Sequence, residues 1–319
     1  MREQRGFTLI ELMISLVLFS LAVAGILSVA VSMTAGFRTQ RQVVQAEVAA
    51  RAPIDFISDA IRGASPGVST SNIVDVETCA SGAVKITDSS TGPDKLEVVY
   101  ASGGIYGWTT TVFDASSTTI GVNDASQLAV GDYIVVANSA FTQGHLVRIT
   151  AISTNTLTFA ATTCTPNVPT YPIHSLFVRA QRAEFAVAND ADGIPTLYLD
   201  PDGPLGSRTA EPLAEGIEDL QVAIGIDANT DGSLAEVGVA ANDDEWTGNV
   251  AGDTLPVGTK IRAVRVTLVA RTTKPLLNGP VIGNRPTAEN HAGTAANSDT
   301  YRRRVLKSTV EIRNLGGSP

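Results

Sequence analysis

The chain contains few of the residues from which catalytic and metal-binding sites are usually built. Its 319 residues include only two cysteines and three histidines. Two cysteines cannot form a four-ligand zinc site by themselves, and the histidines show no metal-ligand spacing. The sequence also lacks a nucleophile elbow, an HExxH zinc motif, a P-loop and a dinucleotide-binding glycine pattern. We therefore expect a protein that is not an enzyme.

Charge is scarce as well, and most of it has one sign. Charged residues make up 17% of the chain, and 23 basic against 32 acidic residues give a formal charge of −9. An acidic chain has no general attraction to nucleic acid or to anionic lipid, so we expect no nucleic-acid partner. Past residue 64 the chain is rich in Ser, Thr, Ala, Gly and Val, which favours a β-rich domain outside the cytoplasm.

Near the N-terminus charge disappears completely. The 26 residues 12–37 carry none, and about 20 apolar residues suffice to span a membrane. A short leader with Arg2 and Arg5 ends at Gly6, and Glu11 is the one acid at the start of the apolar segment. A carboxylate inside such a segment costs roughly 2.5–3.5 kcal/mol on insertion scales. Glu11 is therefore a candidate functional residue.

The N-terminal apolar segment has two simpler interpretations, in which Glu11 has no special role. An ordinary secretory signal could be cut near residues 22–24, but its apolar core would be about 7–15 residues long and free of acids. A plain single-span anchor would explain neither Gly6-Phe7 nor Glu11. Charge does not decide the orientation, because Arg38 and Arg41 after the span balance the two arginines before it.

The sequence Gly6-Phe7-Thr-Leu-Ile-Glu11, followed by the long apolar run, resembles the prepilin signature of type IV pilins and their relatives. The resemblance implies that a dedicated peptidase cleaves between Gly6 and Phe7 and methylates the new N-terminal Phe7. It also implies that Glu11 acts in subunit assembly and that the leader is cytoplasmic.

A helical pattern continues beyond the apolar run. Apolar residues between Val43 and Ile61 recur mainly at three- and four-residue spacing, which predicts one helix from about residue 7 to about residue 61. Pro53 is expected to kink it or to mark a junction, and the Gly- and Pro-containing stretch 63–67 to end it. We assign residues 1–6 to the leader, 7–37 to the membrane or filament-core half of the helix, and 38–63 to an amphipathic half that docks on a sheet.

The remaining residues are predicted to form short strands. Residues 64–107 and 162–319 are assigned to a globular β-sheet domain, and residues 108–161 to a β-rich insertion, because strand and turn signals there alternate every 8–12 residues. The polar stretch 279–298 is predicted to be a surface loop. The predicted strands are 95–100, 118–122, 132–136, 145–150, 156–159, 175–180, 183–187, 196–199, 217–226, 261–271 and 305–312.

The C-terminal part extends the resemblance. Residues 215–222, 260–266 and 301–314 look like the C-terminal half of PilW-type minor pilins. The resemblance covers the first 60 residues and about residues 213–314. It implies an α+β fold in which a long N-terminal helix packs on an antiparallel sheet, here with the small β-rich insertion.

The function implied by this resemblance is that of a minor pilin that helps to prime type IV pilus assembly and sits at or near the filament tip. The implied partners are other minor pilins, the major pilin and the prepilin peptidase, with a tip adhesin as a further candidate. The implied location is the inner membrane, with the globular domain outside the cytoplasm, and then the pilus. Two alternatives stay open: a J-type pseudopilin of a type II secretion system, and a tip adhesin whose binding module is 108–161.

Three further groups of residues are candidates. An exported domain favours oxidation, so we predict a disulfide between Cys79 and Cys164, with two unpaired buried thiols as the alternative. Asp227, Asn229 and Asp231, followed by a glycine, copy the first half of a calcium loop, but the twelfth loop position holds no acid. They predict either a Ca²⁺ site or a plain hairpin turn. The basic residues between 302 and 313 predict a solvated strand face or a contact with an acidic neighbouring subunit.

Overall fold

The computed structural model describes most of the chain. The described residues are 8–65, 68, 72–161, 164, 169–204, 206–229, 233–235, 245–250, 252–253, 261–275, 283–296 and 298–312. They form one long helix and fifteen strands, so the predicted α+β class is confirmed.

The helix α1 runs without interruption over 54 residues, Leu9–Arg62, which corresponds to about 81 Å at 1.5 Å per residue. Thr8 caps its N-terminus, and Pro53 lies within it. At the other end the N–H of Gly63 donates to the carbonyl of Asp59 at 3.0 Å. The single helix predicted from the apolar periodicity is confirmed.

The strands follow in chain order. They are β1 (Ile73–Asp75), β2 (Val84–Thr87), β3 (Lys95–Trp108), β4 (Thr119–Gly121), β5 (Tyr133–Ala137), β6 (Gly144–Arg148), β7 (Ala151–Ser153), β8 (Thr156–Thr158), β9 (Leu176–Asn189), β10 (Pro195–Asp200), β11 (Glu211–Glu215), β12 (Ile217–Gly225), β13 (Trp246–Thr247), β14 (Ala263–Arg271) and β15 (Arg303–Glu311).

These strands form three sheets that are antiparallel except for the β1–β6 pair. The largest has eight strands and is organised by β9, which has β3 along one edge and both β10 and β5 along the other. A second sheet has the order β13-β12-β14-β15, and a third the order β4-β8-β7. The separate strands predicted at 175–180 and 183–187 are in fact one strand, β9, so that prediction was wrong.

Strands of the predicted insertion are distributed over two sheets. Within 108–161, β5 and β6 belong to the eight-stranded sheet, because β5 pairs with β9 from Tyr133↔Ala180 to Ala137↔Leu176. Only β4, β7 and β8 form a sheet of their own. The boundaries of the insertion stay a prediction, but two of its strands are continuous with the main sheet.

The central core lies where the second half of α1 meets the inner faces of two sheets. Ala50, Ile57 and Ile61 of α1 are fully buried. They pack with apolar residues of the four-stranded sheet, such as Val222 and Val266, and with residues of the eight-stranded sheet. Burying one isoleucine side chain stabilises a fold by about 1.5–3 kcal/mol. The amphipathic half of α1 is therefore an integral part of the globular domain.

Candidate functional site

The first half of α1 is uncovered apolar surface. Leu9 is 78% exposed, Leu18 61% and Phe37 65%, although none of the three is polar. Among the described residues, α1 is the one helix that is long and apolar enough to cross a membrane. Exposed apolar surface of this extent marks a membrane or protein contact. This half of α1 is the first element of the candidate site.

Glu11 lies in the first turn of α1, where it forms a capping box with Thr8. The Glu11 carboxylate Oε2 accepts from the Thr8 backbone N–H at 3.1 Å and from the Thr8 hydroxyl at 3.0 Å. In return, the Glu11 N–H donates to Thr8 Oγ1 at 3.3 Å. This arrangement satisfies backbone donors that a helix N-terminus otherwise leaves unpaired. The carboxylate is exposed, so it remains accessible to a cation from outside the chain.

Gly6 and Phe7, the predicted cleavage and methylation residues, lie outside the described residues. Their roles stay predictions. The described helix begins at Leu9, two residues after the predicted new N-terminus, with Thr8 as its cap. The predicted mature chain would therefore enter the helix almost at once.

The second half of α1 is attached to the sheets by close contacts at its far end. Ser58 is buried, and its hydroxyl oxygen lies 3.2 Å from that of Ser308 on β15. Two residues earlier on α1, Phe56 makes an edge-to-face contact with Phe185 of β9, with ring centroids 5.9 Å apart. Helix and sheets are thus fixed together, so a force applied to the exposed half of α1 is transmitted to the globular domain.

Cys79 and Cys164 are joined in a disulfide, with their Cα atoms 5.1 Å apart. Cys79 lies in the turn that follows β1, where its N–H donates to the Asp75 carbonyl at 2.9 Å. The bond ties this turn to the segment that follows β8.

Next to the disulfide is a buried ion pair that the sequence did not reveal. The Arg182 guanidinium on β9 donates to Asp75 Oδ2 at 2.8 Å and to Glu97 Oε2 at 3.0 Å. Only 3% of the Arg182 side chain is exposed. Although burial opposes its charge, hydrogen bonds and the charges of both carboxylates raise the pKa of Arg182. These contacts link β1, β3 and β9 of the eight-stranded sheet.

The candidate calcium residues are only partly within the described chain. Asp231 lies outside it. Asp227 Oδ2 is paired with the Arg262 guanidinium at 2.5 Å, and Glu245 accepts from the backbone N–H groups of Ala228 at 3.0 Å and Ala235 at 3.1 Å. Within the described ranges, no group of three or more His, Cys, Asp or Glu side chains is arranged to hold a metal ion. The Ca²⁺ site stays a prediction.

The segment predicted as a surface loop at 279–298 is partly buried. Its described residues cover the outer face of the four-stranded sheet, where Ala288, Asn290 and His291 are buried. Glu289 receives two hydrogen bonds from Arg265 of β14, the shorter at 2.7 Å, and one from the Thr267 hydroxyl at 2.7 Å. The described residues of this segment form a loop, as predicted, and residues 292–296 are exposed. The burial of residues 288, 290 and 291 was not predicted, because the partners of this segment are far away in sequence.

A second group of polar contacts holds His291 against β12. His291 Nδ1 lies 2.8 Å from Asp219 Oδ2, and Arg285 donates to the same oxygen at 3.0 Å. Asp219 is completely buried, and Gln221 donates to its other oxygen at 3.0 Å. The polar face of β12 thus serves to dock this segment.

The basic cluster divides into paired and unpaired members. Arg303 forms ion pairs with Glu218 at 2.5 Å and with Asp299 at 2.6 Å, and Lys307 pairs with Glu289 at 3.0 Å. These are structural contacts on the outer face. Arg302 and Arg304 lie on the other face, beside α1, and line a cleft with Val43.

Comparisons with known proteins agree with this architecture. Residues 184–314 match the family model described as type IV pilus-assembly protein W, PilW. Residues 1–27 match the prokaryotic N-terminal methylation motif. These are the two regions from which the sequence resemblance was drawn.

Among solved structures, the chain is similar to a type IV-like pilin from Thermus thermophilus, with 11% identity and a TM-score of 0.34. The alignment covers 74% of this chain and 84% of that one. The search of curated proteins returned no match.

The family assignment rests on the two sequence matches together with the order of the elements. The methylation motif covers the start of α1, and the PilW match covers most of the sheet that packs against the end of α1. These matches indicate a structural protein that is anchored by an apolar helix and interacts with other pilins. Together these findings support a PilW-like type IV pilin.

Proposed function

We propose that this chain is a minor pilin that helps to prime assembly of a type IV pilus and sits at or near the filament tip. One observation supports this most strongly: α1 buries its second half in the globular domain and leaves its first half uncovered. A helix of this kind has one end fixed to a folded domain and the other available for lipid or for like helices.

Glu11 supplies a specific contact between subunits in the proposed assembly step. Within lipid, helices associate through packing and polar contacts rather than through the hydrophobic effect. A carboxylate in an apolar bundle is stabilised by a positive partner and is costly without one. We assign that role to the N-terminal amine of a neighbouring subunit, which after the predicted cleavage would be carried by its first residue, equivalent to Phe7.

Before assembly, the precursor is proposed to lie in the inner membrane with its globular domain outside the cytoplasm. The disulfide between Cys79 and Cys164 supports that side, because such bonds persist in oxidising compartments. The prepilin peptidase would remove the leader, and the partners in priming would be other minor pilins and the major pilin.

The test compares two substitutions of Glu11 that separate helix capping from charge. Glu11→Gln removes the charge but can still accept from Thr8 N–H, because glutamine also completes a capping box. Glu11→Ala removes both. We expect both variants to enter the membrane at wild-type levels, to co-purify less of the other pilins and to reduce the number of surface filaments. Thr8→Ala, which removes the cap hydroxyl and keeps the acid, is the matched control.

The outcomes distinguish the candidate roles. Wild-type assembly by Glu11→Gln together with failure of Glu11→Ala would mean that Glu11 is only a helix cap. Normal piliation without this chain would contradict priming, and loss of protein secretion in the same strain would favour the J-type pseudopilin. Normal piliation with lost adhesion would favour the adhesin. Point substitutions of exposed residues such as Phe141 suit that last comparison better than deletion of 108–161, since deletion would remove β5 and β6 from the main sheet.

A further inference from the structure

Four arginines surround α1 where its apolar half ends. Arg38 and Arg41 are exposed on the helix itself, and Arg302 and Arg304 lie beside it at the start of β15. None of the four has an acidic partner within the part of the chain that the structure describes. In contrast, their neighbour Arg303 is held by two carboxylates.

The four side chains point to different sides of α1. Arg304 is paired in register with Ala270, which packs in the core below α1, and residues opposite each other on antiparallel strands share a face. Arg302, two residues earlier, is on the same face. At 3.6 residues per turn, Arg41 lies about 180° around the helix from buried Ala50, and Arg38 about 120° from it. Positive charge therefore encircles the helix at this level.

Between α1 and the start of β15 is a cleft of about 550 Å³. Arg302 and Arg304 line it together with Val43 of α1, Pro286 and Val305. Arg303 also lines the cleft, but its charge is already paired with Glu218 and Asp299. Val305 is 44% exposed. The cleft thus presents guanidinium groups next to apolar side chains, a combination that suits a phosphate group attached to an apolar molecule.

The position along the helix fits the headgroup layer of a bilayer. The bilayer is about 40–45 Å thick and its hydrocarbon core about 30 Å, so each headgroup layer is roughly 5–8 Å deep. From Phe37 the helix rises about 1.5 Å to Arg38, 6 Å to Arg41 and 9 Å to Val43. A tilted helix shortens these heights further. With Phe37 at the edge of the hydrocarbon core, the arginines lie within the headgroup layer or at its outer edge.

We propose that this arginine collar (Arg38, Arg41, Arg302 and Arg304) binds the phosphate groups of anionic phospholipids in the outer leaflet of the membrane, with Arg302 and Arg304 forming the headgroup cleft. The proposal rests on the membrane-anchored stage of the proposed function. The contact is local, since the net charge of the whole chain, −9, would repel an anionic surface. It holds the globular domain against the membrane, and a subunit that leaves the membrane must break it.

The test measures lipid retention by the full-length protein in detergent. Native mass spectrometry would follow binding of phosphatidylglycerol and phosphatidylcholine to the wild type, to Arg302→Gln/Arg304→Gln, and to the control Arg51→Gln/Arg208→Gln. The control removes two exposed arginines that do not line the cleft, so its net charge matches that of the cleft variant. We expect the wild type and the control to prefer phosphatidylglycerol, and the cleft variant to lose roughly ten- to thirty-fold of its affinity for that lipid.

Several results would overturn the proposal. These are equal retention of the two lipids by the wild type, unchanged retention by the cleft variant, and competition by inorganic phosphate as effective as that by phosphatidylglycerol, which would indicate a general anion site. Loss of pilin partners by the cleft variant with unchanged lipid binding would assign the collar to an acidic neighbouring subunit. An unchanged melting temperature would show that the variant is folded. Alkaline extraction of membranes tests insertion separately, so failure of the anchored stage would be distinguishable from failure of headgroup binding.

Discussion

Breaking the Cys79–Cys164 disulfide should weaken the globular domain substantially. The bond joins residues 85 positions apart, and the loop it closes contains β2 to β8. In the chain-entropy treatment, a loop of this length corresponds to about 4–5 kcal/mol of stabilisation. One kcal/mol shifts the melting temperature of a domain of 150–250 residues by about 2–4 °C. We therefore expect a decrease of roughly 8–20 °C.

The turn at Cys79 has support that does not depend on the bond. Asp75 Oδ1 accepts from the backbone N–H of Glu77 at 2.8 Å, and its other oxygen binds Arg182. Loss of the disulfide should therefore leave β1 in place. Native-state hydrogen exchange should show that β1 stays protected in the reduced protein.

The assay is thermal unfolding of the full chain in detergent, comparing the oxidised wild type, the reduced wild type and Cys79→Ser/Cys164→Ser. The reduced wild type and the double variant should melt at the same lower temperature, and reductant should not affect the double variant. Melting temperatures of the reduced and oxidised wild type within about 2 °C of each other would refute the reasoning, since the constraint would then contribute almost nothing.

Three other changes have expected outcomes. Arg182→Ala leaves Asp75 buried without its cation and Glu97 with only Lys85, at 3.1 Å, so denaturant unfolding should show a loss of about 3–5 kcal/mol; a loss under 1 kcal/mol would contradict the importance of these contacts. Burial lowers the pKa of His145 to about 4 and raises that of Asp94 to about 7. Between pH 6.5 and 4 the folded state therefore holds fewer protons at His145 than the unfolded state. As a result, the contribution of His145 to the free energy of unfolding falls by about 2 kcal/mol when the pH drops from 7.5 to 5. At Asp94 the folded state holds more protons than the unfolded state. The contribution of Asp94 to the free energy of unfolding is therefore lost as the pH rises from about 4 to 7. Urea titrations should show these opposite slopes as differences between wild type and His145→Gln or Asp94→Asn, and parallel pH profiles would contradict both. If calcium binds at Asp227, Asn229 and Asp231, millimolar Ca²⁺ should raise the melting temperature and Asp231→Ala should abolish that response; no shift in the wild type would favour the plain turn.

The sequence predicted best those features that depend on neighbours along the chain. The uninterrupted helix Leu9–Arg62 follows from a charge-free run joined to a periodic one, and both patterns are local. Strands with strong apolar patterns, such as β12 and β14, were predicted within two residues of their observed ends.

Features that depend on distant partners were not predictable in the same way. The two predicted strands merge into β9 through Gln181 and Arg182, which separate the apolar stretches. Arg182 can lie inside the sheet because Asp75 and Glu97 neutralise it, and both are at least 85 residues away in sequence. The strands β1, β2, β7, β11 and β13, each of five residues or fewer, were not predicted.

The candidate site shows the same division. Glu11 was identifiable from its position in an apolar segment, whereas its capping contacts with Thr8 emerged only from the structure. The separation of Arg302 and Arg304 from their paired neighbour Arg303 depends on strand register and on Glu218, far away along the chain.

The most direct test of the central claim is the N-terminal sequence and mass of the mature protein, isolated from cells that contain a prepilin peptidase. We expect a sequence that begins Phe-Thr-Leu-Ile-Glu, with a methyl group on the amine of Phe7 and with residues 1–6 removed. A sequence that begins near Gly25, as after an ordinary signal peptidase, would remove Glu11 and half of the apolar run, and it would contradict assembly as a pilin.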